Sequence, residues 1–314
     1  MRIVFCGTPE FAVPPLRRLL ADSPCNVEAV VTQPDRPRGR GHAVSASPVK
    51  QAALDAGVYV YQPESVKSDS ALEFFTRLAP DAVVIIAYGQ IIPQRLIDVP
   101  RFGWINLHAS LLPKYRGAAP INWAIINGET STGLTTMRID AGMDTGPILL
   151  QQEVSIGEDE TAPELARRMS EVGAPLMADT LHKLGRGEVQ PRPQDGSQAT
   201  LAPRLSKELG LIDWSRTATE IYNRIRGLAP WPGAYTKFRG QLCHLWGRPS
   251  DAPGDGQAAG TIVAEPDGLL VACGGGSRLR VEAVQTEGRK RVAAREFANG
   301  ARLGAGERFG DCSA

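Results

Sequence analysis

The sequence predicts an α/β class for its first domain, doubly wound on a mostly parallel, Rossmann-like sheet, followed by a small all-β domain with the strand spacing of an OB-like barrel. Three observations carry this expectation. Apolar runs of strand length alternate with helical patterns in the front part of the chain, as successive βαβ units require. One of those runs, Ala82 to Ala87, is apolar on both faces and therefore suits the inside of a parallel sheet. The last third of the chain instead holds short strand-like runs separated by Gly- and Asp-rich turns.

Taken in order, Arg2 to Cys6 is an apolar run that stops at Gly7-Thr8-Pro9, and Phe11, Val13, Leu16, Leu19 and Leu20 continue it with helical spacing. Val27 to Thr32 supplies a second strand. Pro34 to His42 then forms a loop with Arg36, Arg38 and Arg40 set among glycines and prolines, a segment with no core of its own. Ala82 to Ala87 is the central strand, with Tyr88-Gly89-Gln90 at its mouth. Ile148 to Val154 reads as a further strand, Thr161, Pro163 and Glu164 as the capped start of an amphipathic helix, and a second helical stretch extends to Leu184.

Composition shifts to Gly, Pro, Gln and Ser between Gly185 and Pro203, so the expected boundaries are 1–189, a linker at 190–206, and 207–314. Beyond it, Thr217 to Leu228 predicts a helix, Pro230 to Gly233 a rigid turn, and Ala234–Phe238, Gln241–Trp246, Thr261–Ala264, Gly268–Ala272 and Leu279–Val284 the strands. Trp214, Trp231 and Trp246 read as core packing. Arg289, Lys290, Arg291 and Arg295 form the densest basic cluster, equally consistent with a solvated turn and a phosphate-contacting patch.

With 314 residues, 42% hydrophobic and 22% charged, the chain is long enough for two cores and excludes disordered or fibrous classes. The net charge of +1 is unevenly spread: 15 Lys and Arg face 12 Asp and Glu from Ser206 onward, against 20 and 22 before it. The back part therefore suits an anionic partner. Cys6, Cys25, Cys243, Cys273 and Cys312 are widely spaced and form no Cys-x-x-Cys pair, so reduced thiols in the cytoplasm, without disulfide or zinc site, are expected. Neither a signal peptide nor a membrane span is expected, since the N-terminal residues read as a strand and no run approaches ~18 apolar residues.

The chemistry concentrates in Gly103 to Gly117, GWINLHASLLPKYRG. Trp104, Ile105 and Leu107 interleave with Asn106 and His108, so the amide and the imidazole share one face of a strand. Such a pair can stabilise a developing oxyanion and move a proton. Ser110, Leu111, Leu112 and Pro113 form an apolar wall behind it. Asp144, inside the glycine-bearing run from Ile139 to Gly146, can bend back to orient and charge-stabilise the imidazole. With no nucleophilic Ser or Cys in this set, the expected enzyme holds two substrates and lets one attack the other. The first strand runs into Gly7-Thr8-Pro9-Glu10 without the Gly-x-Gly-x-x-Gly of dinucleotide sites, and no Walker A sequence occurs, which argues against a nucleotide cofactor. Tyr88, Ile91, Ile92 and the Ser110 to Pro113 run can instead offer an apolar slot to a flat, less charged ligand.

The runs INLHASLLPKYRGAAPINWAI and GMDTGPIL, with GTPEFA near the start, closely resemble the folate-dependent formyltransferases, and among them the branch acting on methionyl-tRNA. The resemblance continues through LSKELGLIDW and LAPWPGAYT and so covers nearly the whole chain. It implies Asn106, His108 and Asp144 as the catalytic trio, Ser110 to Pro113 and Tyr88 at the folate site, and 10-formyltetrahydrofolate as formyl donor with no metal. The loop PDRPRGRG resembles that branch's tRNA-recognition insertion, which puts Arg40 first, and Arg36 and Arg38 behind it, against the acceptor end of initiator methionyl-tRNA. A monomer acting in the cytoplasm is expected. Formylation of a sugar-nucleotide amine or purine precursor, hydrolysis of the formyl donor, and RNA binding by an inactive α/β domain remain open as alternatives at this point.

Overall fold

In a computed structural model, residues 1–22, 24–38, 43–254, 256–265 and 268–310 are described. Contacts divide the chain into two units. The first holds Met1–Pro120, Ser131–Ser155 and Glu164–Pro203, and the second Ile121–Thr130, Ile156–Pro163 and Arg204–Ala314.

The first unit grows outward from β1 (Arg2–Gly7), whose residues Ile3 to Cys6 are all fully buried. The chain adds β2 (Asn26–Val31), a hairpin of β3 (Arg36–Arg38) and β4 (Ala43–Ser45), and β5 (Val60–Tyr61). It then crosses to the other side of β1 with β6 (Ala82–Ile86) and β7 (Trp104–His108), followed by β8 (Arg116–Gly117), β9 (Ser131–Arg138), β10 (Ile148–Ser155) and β11 (Leu201–Ala202). The main sheet has the order β10-β9-β7-β6-β1-β2-β5. From β5 to β7 its neighbours are parallel, whereas β9 and β10 are antiparallel. The direction of winding therefore switches between β1 and β6, and ligands bind such sheets beyond the carboxyl ends at that point.

Helices cover both faces. α1 (Val13–Leu20), α2 (Pro48–Asp55), α3 (Asp69–Leu78) and α4 (Gln94–Ile97) precede α5 (Pro120–Ile126), which from Ile121 onward belongs to the second unit, and α6 (Ala162–Gly185), which starts one residue after the predicted cap Thr161. The hydroxyls of Ser47 and Ser68 accept from the amides of Lys50 and Ala71 and cap α2 and α3, each cap worth about 1 kcal/mol. Phe74, Phe75 and Leu96 pack against Val4, Val83 and Trp104 on one face. On the other, Gly173 brings α6 so close to β7 that a Cβ there would meet Leu107 Cδ2 at 2.6 Å.

Strand β9 has no counterpart among the sequence expectations. Its threonines interrupt the apolar pattern, yet Thr135 and Thr136 are fully buried and their hydroxyls find partners in Ser110 O and Thr180 Oγ1. β-Branched side chains suit a sheet interior once such bonds are made. The expected linker 190–206 also differs from what is found. Up to Pro203 it belongs to the first unit, where Arg192 pairs with Ile148 and β11 runs parallel to β8.

In the second unit α7 (Ala218–Gly227) starts in a capping box between Thr217 and Glu220. The strands β12 (Tyr235–Phe238), β13 (Gln241–Ser250), β14 (Ile262–Glu265), β15 (Gly268–Ala272), β16 (Arg278–Thr286) and β17 (Val292–Ala293) are followed by α8 (Ala294–Ala301). They form an antiparallel sheet of order β12-β13-β16-β15-β14, with β17 on β16. The small all-β domain expected from the sequence is thus present as an antiparallel sheet. Residues 121–130 and 156–163 join this unit through the buried Arg226 and the end of α7. The guanidinium donates to Gly157 O and Glu160 O, and the Asn122 amide to Gly227 O.

The tryptophans separate. Trp214 lies in the core, where its indole N–H reaches Thr236 Oγ1, Trp246 is half-buried, and Trp231 is 51% exposed, contrary to the packing expected of all three. Cys6, Cys25, Cys243 and Cys273 are buried free thiols, and Cys312 lies outside the described residues. No described helix is long and apolar enough to cross a membrane.

Candidate active site

Strand β7 carries Asn106 and His108 on the face it shares with Trp104, and its Asn106 lies in register with Ile85 of β6. Trp104, Ile105 and Leu107 are buried to within 3% and fix the strand, so the two polar side chains inherit a rigid support. His108 is itself only 6% exposed. Its Nε2–H donates to Tyr115 O at 2.9 Å, since a carbonyl can only accept. That bond leaves Nδ1 as the ring nitrogen without a hydrogen-bond partner, and Nδ1 faces Asp144 Oδ2 at 3.6 Å.

The approach of Asp144 is not what a neighbouring parallel strand would give. β9 runs against β7, so the loop that follows it begins where Arg138 pairs with Ile105, at the far end from His108. The loop has to fold back, and three features make it do so. Gly146 crosses the end of β9 so tightly that a Cβ would lie 1.9 Å from Arg138 O. Asp140 Oδ1 accepts from Gly142 N and Thr145 Oγ1, drawing the turn together. Asp144 itself takes a left-handed conformation, φ 54°, which aspartate tolerates better than most residues.

Residues that the sequence reading passed over hold this carboxylate in place. Gly117 N donates to Asp144 Oδ2 at 2.9 Å, the oxygen that faces the imidazole. Gly117 can do so because it lacks a side chain: a Cβ would meet Ala202 O at 2.7 Å, and its φ is 125°. Gln194 Nε2 donates to the carbonyls of Asp144 and Gly146, both at 2.8 Å, and its own Oε1 accepts two bonds from the Arg116 guanidinium. Arg116 and Gly117 belong to the GWINLHASLLPKYRG stretch and carried a spatial hint. Gln194, in a stretch with linker composition, carried none.

The run from Ser110 to Pro113 closes the end of β7 onto β9. Ser110 is fully buried and its hydroxyl donates to Lys114 O, Leu112 packs with Met137 and Ile148, and Leu111 lies across Gly133. Pro113 stays half-buried. The Tyr88 ring is also a core residue, burial pushing its phenol up, and its carbonyl accepts from Thr8 Oγ1 and Gln33 Nε2. Arg36 is exposed, Arg38 is described only in its backbone, and Arg40 lies outside the described residues.

Two exposed apolar side chains stand on the loops after β6 and β9: Ile91, 78% exposed, and Met143, 61% exposed and next to Asp144 in the chain. Their loops are rooted in one cluster, through Ile92 and Ile139. Beyond the carboxyl ends of β1, β2 and β6 opens a cavity of about 610 Å³ lined by Thr8, Gln33, Arg36, Glu64 and Gln90 among others. The arrangement thus offers a proton-transfer group with an oriented carboxylate, an amide donor beside it, and space at the switch point.

Comparison with known proteins agrees with this chemistry. Residues 1–181 match the formyl transferase family model and residues 204–302 that of the formyl transferase C-terminal domain. The methionyl-tRNA formyltransferase of Solibacter usitatus is 54% identical over 99% of both chains, and that of Acidobacterium capsulatum 51% identical over 99% of this chain and all of its own. Among solved structures, an N-formyltransferase from Helicobacter canadensis, complexed with folinic acid and dTDP-3-aminofucose, matches with a TM-score of 0.66 at 18% identity, covering 90% of this chain and 98% of its own. HypX from Aquifex aeolicus, complexed with tetrahydrofolic acid, matches with a TM-score of 0.62 at 16% identity, covering 98% of this chain and 48% of its own. On the family models and the full-length relatives, the chain belongs to the formyl transferase family, and within it to the methionyl-tRNA formyltransferases.

Proposed function

We infer that this enzyme transfers a formyl group from 10-formyltetrahydrofolate to the free α-amine of methionine on initiator tRNA. The observation that carries the reading is an Asn106, His108 and Asp144 site in a chain whose relatives of that name match it end to end. The first unit holds the chemistry, Arg36 of that unit and the second unit hold the RNA, and the enzyme works as a monomer in the cytoplasm.

The donor supplies an activated one-carbon unit. The residues present fit a pterin through Ile91 and Met143, which give a flat ring an apolar rim on two loops of common root. The Ser110 hydroxyl is used internally and the Tyr88 ring is packed in the core, so in this run contact with the donor falls to backbone groups and to Leu111 and Pro113.

The uncharged amine forms a bond to the formyl carbon, the bond from that carbon to the folate nitrogen breaks, and the amine's proton ends on the nitrogen that leaves. The Asn106 amide and the protonated His108 ring stabilise the negative charge that develops on the formyl oxygen. His108 Nδ1–H, the ring donor not committed to Tyr115, gives its proton to the folate nitrogen as that leaves, and the amine's proton then restores the ring. At 3.6 Å Asp144 is too far to hydrogen-bond Nδ1, so that atom stays free for the reactants with a carboxylate beside it.

The test is incubation with formyl donor and charged initiator tRNA, then mass analysis of the released amino acid. Formylmethionine is expected, and its absence beside a formylated sugar nucleotide or free formate would replace this reading. Two further outcomes are expected. Gln194→Ala leaves the Asp144 and Gly146 carbonyls without their donor, so turnover should fall on the order of tenfold while the KM for donor holds. Unchanged turnover would show the loop to be self-supporting. Arg36→Ala should raise the KM for charged tRNA severalfold and flatten its salt dependence, with folate affinity unchanged.

A further inference from the structure

We propose that the solvent face of the second unit's sheet, centred on Trp231, is a stacking platform for an unpaired base of the tRNA. The inference rests on the function proposed above and adds where and how the RNA is gripped.

Strand alternation creates the face. Along β13, Cys243, Leu245 and Gly247 are buried, while Leu242, His244 and Trp246 turn outward. β12 sets Tyr235 in register with His244, and their rings meet edge to face with centroids 5.8 Å apart. Trp246 continues the row at 6.5 Å from His244. Gly233 admits the His244 ring, since a Cβ there would approach Nδ1 to 3.1 Å. Between these rings and Lys207 lies a cavity of about 440 Å³, with Trp231 on its wall.

Trp231 is the anomaly in this row. A large indole that is 51% exposed, held between Pro230 and Pro232, contributes little to folding and keeps a flat apolar surface in water. Trp246 shows how such a surface is satisfied: the Arg291 guanidinium lies 4.0 Å over its ring. No comparable cation or ring contact is recorded for Trp231 among the described residues.

Charge selects the occupant. Lys207, Arg289, Lys290 and Arg291 are exposed around this face and form no ion pair among the described residues, with Glu287 the acid at the cavity edge. A flat aromatic ligand that also carries phosphate fits both features. A polynucleotide does, because every base has a π-face and every link an anion. The Trp231 indole stacks on the base, and Lys207 meets the adjoining phosphate.

The experiment compares the whole enzyme with Trp231→Ala, Trp231→Phe and Lys207→Ala in binding uncharged initiator tRNA over a series of salt concentrations. Trp231→Ala is expected to weaken binding on the order of tenfold to a hundredfold without changing the slope of log K against log salt. The Phe variant restores most of the affinity. Lys207→Ala should instead reduce that slope by about one. As a readout independent of truncation, tRNA should quench the emission of the original enzyme more than that of the Phe variant. Binding by Trp231→Ala within twofold of the original, a loss that Phe does not repair, or equal quenching would each overturn the platform. An original enzyme that formylates methionyl-tRNA under any of these outcomes keeps its proposed function; one that does not would lose it.

Discussion

Replacing His108 by alanine is expected to lower the turnover of formyl transfer at least a hundredfold, and Asn106→Ala to lower it by a similar factor, on the order of 3 kcal/mol of barrier. The geometry supports a loss of rate without a loss of fold. Nε2 of His108 bonds a single carbonyl, that of Tyr115, while Trp104, Ile105 and Leu107 continue to hold the strand. Because both side chains act on the same developing charge, the double variant should lose far less than the product of the two single losses. Steady-state turnover with charged initiator tRNA, beside a thermal melt of each variant, decides the matter. A folded His108→Ala enzyme at near-normal turnover would remove the imidazole from the mechanism.

Gly146→Ala is expected to cost a comparable factor from outside the trio. The added Cβ would sit 1.9 Å from Arg138 O and 3.0 Å from Arg138 C, and both are backbone atoms of a paired strand. The loop must therefore move, and Asp144, held through Gly117 N and Gln194, moves with it. A displacement of about 1 Å at a catalytic group costs on the order of a hundredfold in rate. Stability should fall as well, by about 1–3 kcal/mol for the strained backbone. Gly300→Ala on α8 is the matched control, since a Cβ there meets nothing within 4 Å. It should leave turnover unchanged and the melt equal or slightly raised. Full turnover in Gly146→Ala would mean that the position of Asp144 is not set by this crossing.

Much of this protein was legible along the chain because periodicity is a local property. The apolar run at Ala82–Ile86 reads as an interior strand without reference to any partner, and it is one. Alternation from Trp104 to His108 is enough to put an amide and an imidazole on one face. Where the expectation went astray, long-range contacts had overridden local pattern. Thr135 and Thr136 look like a polar break until Ser110 O and the Thr180 hydroxyl supply the bonds that let β9 be buried. Composition marked 190–203 as a spacer, yet Gln194 there fastens the loop of Asp144.

The sequence by itself therefore determined the two kinds of sheet, the strand that carries Asn106 and His108, and the family to which those residues point. Only the tertiary structure decided that β9 lies antiparallel to β7, that the loop after it returns to bring Asp144 within 3.6 Å of the imidazole, and that Gly117 and Gln194 hold it there. It also decided that Trp231 faces water while Trp214 does not. The reason is physical: dihedral preference and apolar spacing act between near neighbours in the chain, but strand direction, register and burial are set by which distant segments pack together, and that is settled only when the whole core forms.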